Sequence, residues 1–271
     1  MDNRHTLSIA LEVVALFATP IILAVEMIYF PDFTAVSSII LAIISVALFM
    51  LSFEAKKPSV ANLVPTAVFS ALGSAGRIAF APLAYVKPVS AVAIFAGAFL
   101  GRHAGFLVGA LSALLSNVFF GQGSWTPWQM YAWGLVGYLG GLLATLTSAC
   151  PASSKRTSVQ QGEKPYKLPP FLLMIWAFIS GPFFGLVMNV YFVIGFVHPL
   201  TLESALLAFA ASIPLDLTHG IATLVFLILL WLPWQTSVSR ILTKYNLTGR
   251  SFRYAIFFRL PKIPSISRPL I

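Results

Sequence analysis

The chain is written mostly in long apolar runs, separated by short polar, glycine-rich or proline-bounded breaks. A helix needs about 20 mostly apolar residues to cross a hydrocarbon layer ~30 Å thick. The runs predict eight helices: Leu7–Phe30, Thr34–Phe53, Ala61–Leu83, Val89–Leu100, Ala104–Phe119, Trp128–Ala149, Leu168–Phe196 and Leu202–Trp231. The fourth and fifth come from one apolar stretch that Gly101-Arg102-His103 interrupts. Each piece is shorter than a full span and is expected to be bent, tilted or partly embedded. The first run exceeds the roughly 7–15 apolar residues of a signal peptide and lacks a small-x-small cleavage site, so it reads as a retained helix. Pro151–Pro170 is polar and reads as a loop, and the segment from Gln235 reads as a basic tail. That tail carries Phe252, Tyr254, Phe257 and Phe258, so it either fixes topology alone or lies on the lipid surface.

Composition agrees with an all-α integral membrane protein. Hydrophobic residues make up 58% of the 271 and charged residues 9%, against about 25% charged in soluble domains. A net charge of +9 would suggest nucleic acid in a soluble chain. Here the basic residues flank apolar spans, and topology explains them without a nucleic-acid partner. With the N-terminus cytoplasmic, all of the 17 Lys and Arg except Lys87 and Arg77 fall on the cytoplasmic side or in the tail. The expectation is a multi-pass protein of the cell membrane with both termini inside.

Several chemistries are excluded or unsupported. Cys150 is the single cysteine, so neither an internal disulfide nor a cysteine metal cage can form. No Gly-Lys pair occurs, so there is no P-loop to hold nucleotide phosphates. Any energy the protein uses must therefore come from partners or an ion gradient. His5, His103, His198 and His219 are scattered, without a His-x-x-x-His spacing or paired carboxylates. No catalytic or metal-binding residue is assigned.

The candidate chemistry lies in three connections expected at the outer face: Pro82 to Pro88, Phe119 to Gln129, and Val197 to Thr201. The second holds Gln122, Trp125, Trp128 and Gln129, with Asn117 just before it. Aromatic faces beside amides suit a flat, polar-edged ligand, and the glycines allow a sharp turn. The two tryptophans alone would equally suit an interfacial belt; the amides favour a pocket. Tyr85, Lys87 and Asn189 complete the candidate substrate-binding set. Arg77, Asn189, Asp216 and His219 are polar residues inside spans, where such groups are costly. Asp216 and His219 share a helix face and read first as a structural tie, with His219 or Arg77 as partner for the carboxylate. Glu12 and Glu26 are expected to reach water. Ala67, Ala71, Ala75 and Ala79 recur every fourth residue, a strip that lets another helix approach closely, inside the chain or on a partner.

Together these segments carry a resemblance. Gly76-Arg77-Ile78-Ala79-Phe80-Ala81-Pro82, Val86-Lys87-Pro88, Gly105-Phe106-Leu107-Val108-Gly109-Ala110, the Phe119 to Gln129 connection and Pro214-Leu215-Asp216-Leu217-Thr218-His219-Gly220 resemble the substrate-binding S component of energy-coupling factor (ECF) vitamin transporters. The resemblance covers about Ala61–Trp231. Its Trp-Thr-Pro-Trp-Gln loop is most similar to the cobalamin-type S components. It implies a six-helix substrate-binding core (61–233) behind two additional helices (1–60) and ahead of a basic tail (234–271). It also implies a vitamin ligand, here cobalamin or a related corrinoid, and no catalytic cofactor. Implied partners are a transmembrane coupling subunit, which would meet Ala67, Ala71 and Ala75, and two cytoplasmic ATPases, with membrane lipid around them. The leading pair departs from the six-helix pattern and would either modify docking or ride along. Alternatives are an S component for another vitamin such as riboflavin, and a proton-coupled secondary transporter using Asp216 and His219. The chain shows no obvious inverted repeat, a feature of many such transporters.

Overall fold

A computed structural model of the chain describes residues 3–29, 60–146 and 169–244, with positions 40 and 44 between them. The expected helix Thr34–Phe53, most of the loop Pro151–Pro170 and the chain beyond Lys244 lie outside the described residues. Among the described residues the protein is entirely helical, in the order α1 (Asn3–Tyr29), α2 (Val60–Ala79), α3 (Val89–Leu100), α4 (Arg102–Phe120), α5 (Trp125–Leu146), α6 (Phe171–Phe196) and α7 (Leu202–Lys244). Three helices, α4, α6 and α7, are long and apolar enough to cross a membrane. This is an all-α integral membrane protein.

The bundle is built around α3. At 12 residues it rises only ~18 Å, too short to cross alone. Every residue from Val89 to Phe99 is buried, because α2, α4, α5, α6 and α7 all pack on it. A helix apolar all round belongs in such a centre. Phe95 stacks on Phe99 at 4.4 Å, and Trp231 of α7 meets both rings at 5.6 and 5.0 Å.

Small residues set the closest approaches. A Cβ on Gly109 of α4 would lie 2.1 Å from the Trp133 carbonyl oxygen of α5, and one on Gly181 of α6 would lie 2.2 Å from the Gly220 nitrogen of α7. Backbones this close leave no room for a side chain, the usual device for tight helix contact in lipid. On α2 the buried side is Thr66, Phe69, Ser70, Gly73, Ser74 and Arg77, while Ala67, Ala71, Ala75 and Ala79 are exposed. The buried side packs on α4 through hydroxyls. Ser74 Oγ donates to the Ser112 carbonyl and Ser112 Oγ to the Ser70 carbonyl, each at 3.2 Å.

Some boundaries differ from the sequence expectation. The third expected helix stops at Ala79 rather than Leu83 and continues as hydrogen-bonded turns. Pro82 explains the stop: it has no N–H to continue the ladder and disfavours helical backbone at Ala81. The Lys87 ammonium then donates to the carbonyls of Phe80, Ala81 and Leu83, satisfying acceptors that the ended helix leaves over. The fifth begins at Arg102, directly after Gly101 at φ 97°, and at 19 residues is longer than expected. The sixth starts at Trp125, not Trp128. Pro127 is tolerated there because first-turn N–H groups lack helical partners anyway. The last runs past Trp231 and Pro233 to Lys244, with Val238 and Leu242 buried in the core.

The leading helix packs on the core, against α5 and α6. Leu23 sits among Trp128, Ala132, Val187 and Tyr191, and Tyr131 donates its hydroxyl to the Leu16 carbonyl at 2.6 Å. Glu26, expected to reach water, is buried instead.

Candidate functional site

The polar cluster forms where α2, α4 and α5 meet. Arg77 stands in the last turn of α2 and reaches across to α4 and α5. Its guanidinium donates to Ser116 Oγ at 2.7 Å, Asn117 Oδ1 at 2.6 Å and Gln129 Oε1 at 3.3 Å. It also lies 4.8 Å from the ring centroids of both Phe120 and Trp133. Hydrogen bonds to neutral acceptors and aromatic faces thus surround the charge. Asn117 in turn donates to Thr126 Oγ1 and Gln129 Oε1, each at 3.0 Å. Thr126 Oγ1 donates to Gln122 Oε1 at 2.9 Å and accepts from the Gly123 N–H at 3.2 Å. Gln122 closes back on α4 by donating to the Leu114 carbonyl at 2.9 Å.

Three of the candidates, Asn117, Gln122 and Gln129, are therefore in one hydrogen-bonded group. The connection itself is shorter than expected: Phe119 and Phe120 end α4, and Trp125 to Gln129 open α5. The turn needs Gly121, which sits at φ 95°, a conformation that glycine adopts without strain.

The two tryptophans differ. Trp128 is 3% exposed and packs 6.1 Å from the Tyr191 ring of α6, so it is part of the interior rather than a surface belt. Trp125 is 37% exposed, and its ring lies so close over Gly123 that a Cβ there would meet it at 2.4 Å. Ser124 and the Tyr191 hydroxyl are hydrogen-bonded at 2.9 Å, tying the turn to α6.

The other candidates lie apart from the amide cluster. Tyr85 is exposed, in the α2–α3 connection, at φ 59°. Lys87 in the same connection is turned back onto the end of α2, as described above. Burial, and after it the Arg77 charge, hold the Lys87 ammonium below its ordinary pKa. Asn189 of α6 donates to Ser212 Oγ at 2.6 Å, and Ser212 donates to Asp216 Oδ2 at 2.7 Å. The partner seen for Asp216 is thus a hydroxyl, not Arg77 or His219. Its carboxylate fills the space over Gly185, where a Cβ would meet it at 2.1 Å. His219 points elsewhere: its Nε2 lies 2.8 Å from Ser90 Oγ, and its ring stacks on Phe184 at 5.2 Å.

Sequence reasoning did not single out Ser116, Thr126, Ser124, Tyr191 or Trp133. Ser112 and Ser116 do follow a helical spacing on α4, a signal that could have found Ser116. Tyr191 and Trp133 lie within apolar runs that mask them as core.

Comparison with known proteins bears on what such a cluster does. No curated protein and no solved structure matches the chain. A family model described as "ECF-type riboflavin transporter, S component" matches residues 53–234. That segment holds α2 to α6, most of α7 and the whole polar cluster, and leaves α1 outside. The matching type is riboflavin, whereas the type expected from the Trp-Thr-Pro-Trp-Gln loop is cobalamin. With two-thirds of its length matched, the chain belongs to the family of ECF-type riboflavin transporter S components.

Proposed function

We propose that this chain is the vitamin-binding subunit of an ECF importer, that it faces the outside with the 121–124 turn, and that its vitamin is a flavin, riboflavin first. The match to the riboflavin-type family over 53–234 carries this reading. The site supports it. Trp125 and Tyr85 are aromatic and exposed, and each offers a face to a flat ring. Just inside, the Arg77 guanidinium offers donors beyond those it gives to Ser116, Asn117 and Gln129. A corrinoid is the weaker choice. Its many amide arms call for many free polar partners, and the amides of Asn117, Gln122 and Gln129 are already bonded to one another and to the chain.

The coupling partner docks on α2. Ala67, Ala71, Ala75 and Ala79 form an exposed strip, beside exposed Val64 and Val68, while Phe69, Ser70, Gly73 and Ser74 face the interior. A strip of small residues open to the surroundings suits close approach of a partner helix. The first helix packs on α5 and α6, whereas α2 packs on α3 and α4, so α1 leaves the strip uncovered. ATP is hydrolysed by partner subunits.

The proton-coupled alternative gains little, since Asp216 bonds to Ser212 and His219 to Ser90, in separate clusters. Uptake of labelled riboflavin by cells carrying this chain with a coupling subunit and two ATPases separates the readings. Depleting ATP is expected to stop uptake, and an uncoupler with ATP maintained is expected to leave it. Uptake that survives ATP depletion and collapses with the uncoupler would favour secondary transport.

A further inference from the structure

Trp133 lies one helical turn beyond Gln129 on α5, on the same buried side, and is 3% exposed. Its ring is well used. It stacks on Phe184 of α6 at 4.5 Å, and Arg77 lies 4.8 Å from its centroid. Its indole Nε1–H is not: buried, it meets no hydrogen-bond acceptor. Trp176 on α6 shows the ordinary outcome, donating its Nε1–H to the Val136 carbonyl at 3.0 Å. Buried indole N–H groups normally find such a partner, and one left without is disfavoured.

The neighbouring cluster has the same imbalance. Its side-chain acceptors are engaged: Asn117 Oδ1 by Arg77, and Gln129 Oε1 by both Arg77 and Asn117. Its donors are in excess, because those bonds use only part of the guanidinium's donor set. A ligand that brings acceptors fits this place, and one that brings donors does not. The carbonyl oxygens of a flat heteroaromatic ring are acceptors of that kind.

We propose that the Trp133 indole N–H donates a hydrogen bond to a carbonyl oxygen on the ring system of the bound vitamin, beside Arg77. The inference rests on the reading of the chain as a flavin-binding S component. It makes Trp133 a ligand-binding residue that recognises the ring rather than the sugar-like side chain.

Trp133→Phe removes the N–H and keeps an aromatic ring against Phe184 and Arg77. Titrations of the purified full chain and this variant use riboflavin and lumichrome, which has the carbonyl-bearing ring without the ribityl chain. Loss of one hydrogen bond is expected to weaken both by about tenfold. In the parent chain, the indole N–H resonance that Trp133→Phe lacks is expected to move on addition of either ligand. Equal affinity of parent and variant overturns the inference alone, as does a resonance that stays in place while riboflavin binds. Weakening confined to riboflavin also overturns it, by pointing to the ribityl chain. A parent chain that binds neither ligand overturns both this inference and the flavin reading. If the variant fails to fold, the resonance in the parent decides, assigned by selective labelling.

Discussion

Arg77→Ala is expected to destabilise the protein by about 3–5 kcal/mol and to abolish vitamin binding. The guanidinium joins α2 to both α4 and α5 through side-chain hydrogen bonds. Removing it leaves Asn117 Oδ1 without its donor in a residue fully shielded from solvent. It also strips donors from Ser116 and Gln129. Each buried acceptor left unsatisfied costs roughly 1–3 kcal/mol, and the lost aromatic contacts add ~1 kcal/mol. These terms share one network and do not simply add. Arg77→Lys keeps the charge but not the fork that reaches two helices at once, so an intermediate loss is expected. Thermal unfolding in detergent measures the order parent, Lys, Ala. An alanine variant that unfolds with the parent would show that the cluster contributes nothing to the fold.

Ala71→Trp is expected to leave folding and vitamin binding unchanged and to reduce transport to background. Ala71 is exposed in the middle of the α2 strip, so a bulky side chain there displaces nothing inside the chain. A partner backbone drawn close by small residues would meet it directly. Loss of only about 1.4 kcal/mol at that interface weakens docking tenfold, and an indole across a close helix contact costs more. Riboflavin titration and uptake measured side by side give the needed split. Normal uptake by a folded Ala71→Trp chain would place the coupling subunit on another face.

The helices were legible because lipid demands long apolar runs, and this chain has few other reasons for them. Their ends were less so. Beyond the end of α2, Lys87 reaches back across a turn to three carbonyls, a contact no local pattern announces. Pro127 reads as a break, yet stands inside the first turn of α5. The period-four alanines identified one face of α2, but only the packing of Ser70, Gly73 and Ser74 on α4 shows that the alanine face is left exposed. The polar cluster was legible in its members and not in its pairing. Arg77, Asn117 and Gln129 come from three helices, so their meeting depends on how those helices pack. The same distance in sequence hid the partner of His219, which is Ser90 on α3. Asp216 is the contrary case: Ser212 is four residues away on the same helix, a spacing that points to a contact.

Calorimetric titration of the purified full chain with riboflavin, alongside cobalamin, tests the central claim most directly. The account predicts saturable riboflavin binding, one vitamin per chain, with cobalamin neither binding at the same concentrations nor competing. Cobalamin binding without riboflavin binding would contradict the flavin assignment and return the choice to the Trp125-to-Gln129 loop and its resemblance to cobalamin-type S components.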